Sequence, residues 1–115
     1  MNIQVFGTKK CFDTKKVERF FKERRIKYQF IDMKEKGISK GELTSVKSSV
    51  SINDLVNEKA KNYKTSGIAN VRSADVKIEI LFKDQTLIKT PIVRNGKKAV
   101  VGFKPEVFNE WINND

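Results

Sequence analysis

The chain has 115 residues and carries 24 Lys and Arg against 14 Asp and Glu. This length fits one compact domain with a modest core and excludes a large multidomain enzyme. The apolar fraction of 38% argues against a disordered chain. No apolar run approaches the roughly 20 residues of a membrane span. The N-terminus lacks the apolar segment of a signal peptide, so we expect a cytoplasmic protein.

The first third of the chain predicts a strand, a helix and a second strand. Residues 2–6 alternate apolar and polar, as in a short strand, and Asp13 or Thr14 can cap the helix that follows. One buried face of this helix is predicted from three apolar residues: Val17, Phe20 and Phe21. Residues 27–32 alternate again. The two strands are expected to be parallel and joined by a right-handed crossover.

The middle of the chain predicts helices. Residues 39–50 carry a thin apolar stripe, and Ser51 is expected to cap a short helix over residues 52–60. Residues 57–72 are polar and indicate no clear element. Ser73 is expected to cap a helix over residues 74–82. Its predicted core-facing residues are Val76, Ile80 and Leu81.

The last third predicts a hairpin and a helix. Residues 88–94 are apolar and β-branched, Asn95-Gly96 is a strong hairpin turn signal, and residues 97–102 return as the antiparallel partner. Pro105 is expected to open the last helix. Its inward residues are predicted to be Val107, Phe108, Trp111 and Ile112. The whole order indicates an α/β layered domain with a central mixed sheet of about four strands.

Histidine is absent and cysteine occurs once, at Cys11. The absence of histidine excludes His-based triads, His general bases and most zinc sites. An internal disulfide is excluded as well, and we expect no metal site.

Cys11 lies in the predicted turn between the first strand and the first helix. A thiol at a helix N-terminus faces unpaired backbone N–H groups and the positive end of the helix dipole. Three nearby lysines add positive potential: Lys9, Lys10 and Lys15. All these effects favour the thiolate, and they also suit a small oxyanion. The alternative is that Cys11 is a small buried apolar residue.

Two further positions have both a functional and a structural interpretation. Thr14 lies three residues after Cys11, where its hydroxyl either donates to a thiolate or caps the helix. Thr90-Pro91 begins a predicted strand, so Pro91 either starts that strand or forms a cis bond that turns backbone groups toward a site.

Most of the net positive charge of the chain lies in residues 8–27, which hold nine Lys and Arg against three acids. The charge fits a nucleic-acid footprint, an anion site next to the thiol, or a solvated basic face. We do not expect nucleic-acid binding, because the chain has no recognised nucleic-acid motif and its basic residues gather around the thiol.

The chain resembles the arsenate reductase (ArsC)/Spx/YffB family of the thioredoxin-like superfamily in two segments, VFGTKKCFDTKKVERFFKERRIKYQFID and IKTPIVRNGKKAVVGFKPEVF. The shared features are a glycine and a basic residue before the cysteine, a Lys-Lys after it, and a PIV…VGF block. The resemblance implies a single thioredoxin-like domain with a central mixed four-stranded sheet. Its core would be residues 1–33 and 88–115, and residues 39–87 would be a helical insertion.

The resemblance also implies roles for individual residues. Cys11 would be the redox nucleophile and Pro91 a cis-proline, with Thr90 and Pro91 offering backbone groups to an incoming thiol. Arsenate reductases hold the oxyanion with three arginines, and the aligned residues here are Thr90, Lys104 and Asn57. Lys104 supplies a positive charge but not the two parallel hydrogen bonds that an arginine makes to an oxyanion. Arg94 is about 13 Å along the strand from Thr90, so we do not expect it to substitute.

These implications lead to two hypotheses. The first is a thiol oxidoreductase with no bound cofactor, in which glutathione as co-substrate, or a glutaredoxin- or thioredoxin-type protein, resolves the adduct on Cys11. The missing arginines count against arsenate as its substrate. The second is an Spx-like regulator that binds RNA polymerase. Its C-x-x-C disulfide switch cannot form here, because Thr14 stands at the second cysteine position.

Overall fold

A computed structural model describes residues 1–114 as a mixed sheet covered by helices on both faces. The strands are β1 (Ile3–Gly7), β2 (Tyr28–Asp32), β3 (Ile92–Asn95) and β4 (Lys98–Val101). The helices are α1 (Phe12–Glu23), α2 (Lys40–Lys47), α3 (Ile52–Leu55), α4 (Tyr63–Ser66), α5 (Ala74–Lys83) and α6 (Pro105–Asn113). Two 3₁₀ turns lie at Ile68–Asn70 and Gln85–Leu87.

The four strands lie in the order β2-β1-β3-β4. β1 is parallel to β2 and antiparallel to β3, and β3 is antiparallel to β4. Gly96 has a φ of 62° in the turn between β3 and β4, which suits the tight hairpin predicted there. The parallel pair, the hairpin and the thioredoxin-like fold are therefore confirmed.

Adjacent strand residues point to opposite faces of the sheet, and each face has its own core. Val5 and Val93 face α1 and α6, where Phe108 packs within 5.7 Å of three other rings, measured between ring centroids. Phe6 and Ile92 face the helices of the insertion. Burial on both faces explains why β1 lies in the interior of the sheet.

The first helix begins differently from the prediction. Neither Asp13 nor Thr14 caps it: the N-cap residue is Cys11, and no side chain makes a capping hydrogen bond there. The chain leaves β1 through a turn in which the N–H of Cys11 donates to the carbonyl of Thr8 at 3.2 Å. This turn starts the helix directly after Cys11 and places Thr14 in its first turn, facing the interior.

The insertion departs from the prediction at α3. That helix ends at Leu55 rather than reaching residue 60, because Val56 leaves it to form a β-bridge with Ile88. Ile88 pairs with Val56 and not with β1, so the strand predicted over residues 88–94 begins only at Ile92. The side chain of Ser51 makes no capping hydrogen bond.

At α5 the predicted cap is right, Leu81 and the half-buried Ile80 pack against the core as predicted, and only Val76 of the predicted core-facing residues is wrong. The side chain of Ser73 accepts a hydrogen bond from the N–H of Val76. The buried residues are Ile78 and Leu81, whereas Val76 is 47% exposed and Ile80 is half-buried. Apolar residues lie all around this helix, so packing against α2 and α3 selects the buried face.

In the part of the chain that the structure describes, no helix combines the length and apolar character needed to cross a membrane.

Candidate functional site

Cys11 lies where β1 ends and α1 begins, and it is half-buried. Its thiol donates a hydrogen bond to the carbonyl of Thr90, with 3.6 Å between Sγ and the oxygen. Two segments that are 79 residues apart in sequence thus meet at this sulfur. The meeting follows from the sheet, because β1 and β3 are neighbours.

Thr14 lies directly behind the sulfur and is fully buried. It packs against Gly7, where a Cβ would contact Oγ1 of Thr14 and approach its Cγ2 to 2.6 Å. Within residues 1–114, Oγ1 of Thr14 is buried and has no hydrogen-bond partner. A buried hydroxyl without a partner is costly, and a thiolate at Cys11 supplies the acceptor that it lacks.

The pKa of Cys11 lies below its ordinary value. Burial is the largest single influence and raises the pKa, but several hydrogen bonds to the sulfur together outweigh it. They come from the side chains of Thr14 and Thr90 and from the backbone at Thr14 and Asp13. The site therefore stabilises a thiolate through oriented dipoles.

The predicted lysines surround this site at the surface. Lys9, Lys10 and Lys15 are all exposed, and Nζ of Lys15 lies 5.7 Å from the centroid of the Phe12 ring. None of the three is among the causes of the lowered pKa of Cys11. Their contribution is a positive potential for approaching anions, which differs from the pKa effect expected from the sequence.

The peptide bond between Thr90 and Pro91 is cis, as the resemblance to the family implies. Backbone hydrogen bonds hold the segment on both sides. The N–H of Lys89 donates to the carbonyl of Leu55, and the N–H of Gly102 donates to the carbonyl of Pro91, each at 2.8 Å. Thr90 is therefore fixed between the insertion and β4.

Two cavities adjoin Thr90, and Thr90 lines both. Cavity A, of about 650 Å³, lies between the β2–α2 loop, the end of α5 and residues 88–90. Cavity B, of about 540 Å³, lies between β4 and the start of α3. The carbonyl that contacts Cys11 thus stands between two spaces of ligand size.

The rim of cavity A carries more cations than acids. It includes Lys34, Lys36 and Lys83 beside a single acid, Glu35. Gln85 shapes this wall: its side chain accepts from the N–H of Ile38 at 2.9 Å and donates to the carbonyl of Ile38 at 2.8 Å. These residues were not predicted from the sequence, although the run Lys34-Glu35-Lys36 after β2 was a visible signal.

The positions aligned with the three arginines are separated between the cavities. Asn57 lines cavity A, Lys104 lines cavity B, and Thr90 lies between them. Arg94 is engaged elsewhere: its guanidinium donates to Gln4 at 2.9 Å and lies 3.6 Å from the Glu42 carboxylate. As expected from the sequence, Arg94 does not substitute for the missing arginines.

Known proteins of similar sequence and similar fold match nearly the whole chain. The uncharacterized protein YusI of Bacillus subtilis is 28% identical over 115 residues, covering 96% of this chain and 98% of YusI. SACOL0876 from Staphylococcus aureus COL is 29% identical with a TM-score of 0.79, covering 94% of this chain and 96% of its own. An arsenate reductase from Vibrio cholerae shares the fold, with a TM-score of 0.83, 22% identity, and coverage of 96% of this chain and 97% of its own. The model of the ArsC family matches residues 6–111, and the chain therefore belongs to that family.

Proposed function

We propose that the protein is a thiol oxidoreductase in which Cys11 is the single nucleophile and an external thiol completes the reaction. The observation that carries this proposal is the pairing of a lowered thiol pKa with the buried, partnerless hydroxyl of Thr14. A packed, inert cysteine gains nothing from such a hydroxyl, whereas a thiolate accepts its hydrogen bond.

The proposed step is a thiol–disulfide exchange. The Cys11 thiolate attacks one sulfur of a substrate disulfide, a new disulfide forms to Cys11, and the other sulfur leaves as a thiolate. An external thiolate then attacks the mixed disulfide and restores Cys11. Glutathione, or a glutaredoxin- or thioredoxin-type protein, is the external thiol that we propose, because Cys11 is the only cysteine of the chain.

The cavities beside Thr90 support a disulfide as the substrate. One half of the disulfide would occupy cavity A and the other cavity B, with the reacting sulfur at the carbonyl of Thr90. Lys9, Lys10, Lys15 and Lys104 would attract an anionic substrate. We do not propose arsenate, because none of the three aligned positions supplies a guanidinium to bind an oxyanion bidentately. The reducing cytoplasm is the setting that we propose, since it keeps an unpaired thiol reduced.

The test is the pH dependence of Cys11 alkylation by iodoacetamide in the folded chain, compared with the same chain in urea. We expect the folded midpoint to lie below the urea midpoint, because only the folded chain offers hydrogen bonds to the thiolate. Glutathione disulfide should form a mixed disulfide with the folded protein, and Cys11→Ser should form none. Equal midpoints, or no adduct, would show that Cys11 is a packed residue without this chemistry.

A regulator that binds RNA polymerase is the alternative, and the exposed basic side of α1 is the observation in its favour. Its test is recovery of RNA polymerase by the immobilised protein at low salt. Recovery by both wild type and Cys11→Ser would favour the regulator, whereas no recovery would leave the oxidoreductase.

A further inference from the structure

The outer side of α1 carries a row of exposed side chains that begins directly beside the thiol. Phe12, Lys15, Lys16 and Arg19 lie at i, i+3, i+4 and i+7, on the side of the helix opposite the buried Val17. Phe12 is 78% exposed, the highest value among the large apolar side chains that the structure describes. The Phe12 ring directly follows Cys11 in the chain and is covered only by Nζ of Lys15, 5.7 Å from its centroid, so most of the ring is open to a partner.

A groove of about 320 Å³ adjoins this row between α1 and the start of α6. Its apolar lining comes mainly from Phe103 and Pro105, because the Arg24 guanidinium lies 3.6 Å from the centroid of the Phe20 ring. Its rim holds the cations Lys16, Arg19 and Arg24 beside one acid, Glu23. The row and the groove therefore share two cations. We call the two together the α1 surface.

The charge of the α1 surface is largely unneutralised. Lys16 approaches Asp13 at 4.0 Å, but both side chains are more than half exposed, so this ion pair contributes little. Lys9 and Lys10 extend the positive potential past the thiol. The chemistry that complements this surface is acidic, with an apolar side chain for the groove.

We propose that the α1 surface docks an acidic segment of the protein that exchanges disulfides with Cys11, with an apolar side chain of that segment in the groove. The inference rests on the proposed oxidoreductase function and names its partner. From Phe12 to Arg19 the helix rises about 10 Å, which three to four extended residues span at about 3.3 Å each. The acids should therefore lie within about four residues of the partner cysteine.

A nucleic acid would also be attracted by the cations and could stack on Phe12. A nucleic acid has no disulfide with which the thiol beside the ring could react. It also has no aliphatic side chain to fill the apolar part of the groove. The observations therefore favour a protein, and the experiment includes single-stranded DNA as a competing ligand.

The probe is a synthetic peptide whose single cysteine is a mixed disulfide with 2-thiopyridine, followed by three Glu and one Leu. A matched peptide carries Lys in place of Glu. Attack by Cys11 joins the peptide to the protein through a disulfide and releases pyridine-2-thione, whose absorbance gives the rate. For each variant, the rate with a peptide is divided by the rate with neutral 2,2′-dipyridyl disulfide. This ratio removes differences between variants in the fraction of Cys11 that is ionised.

In wild type we expect the acidic peptide to react at least about tenfold faster than the basic one at low salt. Lys16→Glu combined with Arg19→Glu should abolish this preference. Phe12→Ala should lower the rate of the acidic peptide severalfold without changing its salt dependence. The matched control is Lys97→Glu with Lys98→Glu, which makes the same change of charge at the opposite end of the sheet and should keep the preference.

An unchanged preference in Lys16→Glu/Arg19→Glu, or an equal loss in the control, would overturn the docking proposal. Failure of Cys11 to react even with 2,2′-dipyridyl disulfide would instead overturn the oxidoreductase function. Docking would then be measured with a fluorescent peptide that has Ser in place of Cys, by its anisotropy. Tighter binding of single-stranded oligothymidylate than of this acidic peptide would assign the surface to nucleic acid.

Discussion

At the residue scale, Thr14 links the chemistry of Cys11 to the stability of the fold. Its hydroxyl is buried without a partner, and a thiolate at Cys11 would supply the acceptor that it lacks. The folded pKa of Cys11 is therefore depressed. The resulting stability is fully present above the unfolded thiol pKa and is lost as the pH falls through the folded pKa.

Replacing Thr14 with Val should separate the effect of the hydroxyl on the pKa of Cys11 from its effect on the stability of the fold. Thr14→Val keeps the volume but removes the hydroxyl, so we expect a higher Cys11 pKa in alkylation. Below that pKa, the free energy of unfolding in urea should rise by about 1 kcal/mol, because a buried unsatisfied hydroxyl is removed. The gain should shrink as the pH rises and the thiolate forms.

Thr14→Ser is the matched control, since it keeps the hydroxyl. Its Cys11 pKa should stay near that of wild type, even though the lost methyl group costs about 1 kcal/mol of stability. An unchanged Cys11 pKa in Thr14→Val would contradict the assigned role of the hydroxyl.

At the element scale, one hydrogen bond joins β2 to α1. The hydroxyl of Tyr28 donates to Oε1 of Glu18 at 2.9 Å. Burial, the hydrogen bond to Glu18 and the Glu18 charge raise the pKa of Tyr28 from 10.0 to about 12. Because the folded state retains the proton, the stability from this contact is present below the unfolded pKa and is lost as the pH rises toward 12.

The tyrosinate absorbance of wild type should therefore include one phase with a midpoint near 12. Tyr28→Phe should remove that phase. Glu18→Gln, which keeps an acceptor but removes the charge, should move its midpoint down. If the phase that Tyr28→Phe removes has its midpoint at the ordinary value of 10.0, the contact with Glu18 is refuted.

The sequence predicted the elements whose patterns are local. β1, β2, the hairpin turn and α6 follow from alternation, from Asn95-Gly96 and from Pro105 at a helix start. Prediction failed where tertiary contacts decide, as at Val56, which leaves α3 to pair with Ile88. At α5 the prediction included Val76 in place of Ile78 for the same reason, because the apolar residues of this helix suit more than one face.

The candidate site was predictable in part. Cys11 at a helix start could be identified from its position, but no local pattern brings Thr90 to its sulfur. That contact depends on the pairing of β1 with β3, and the sequence indicated it only through resemblance to the family. The lysine rim of cavity A was not predicted, because no local pattern brings Lys83 of α5 beside Lys34 and Lys36 of the β2–α2 loop.

At the scale of the whole molecule, the net charge of +10 opposes compaction. Exposed ion pairs such as Lys47 with Asp75, at 3.3 Å, offset little of this repulsion. Salt screens the repulsion over a Debye length of about 10 Å at 0.1 M. The folded state should therefore become more stable as salt is added.

Thermal unfolding should show this effect directly. Between about 20 and 300 mM sodium chloride, we expect stability to rise by about 1 kcal/mol and Tm by about 4 °C. Lys97→Glu with Lys98→Glu lowers the net charge and should reduce the salt effect. A Tm that falls with salt would mean that surface ion pairs outweigh the repulsion.

The single cysteine within a basic surface has a consequence for the lifetime of the oxidised protein. Two copies approaching thiol to thiol would bring like charges together, so a disulfide between copies should form slowly. The chain has no second thiol that could displace an adduct from Cys11. How long each oxidation event persists is then set by the concentration of thiols in the surroundings, and the modified fraction of the protein records how reducing those surroundings are.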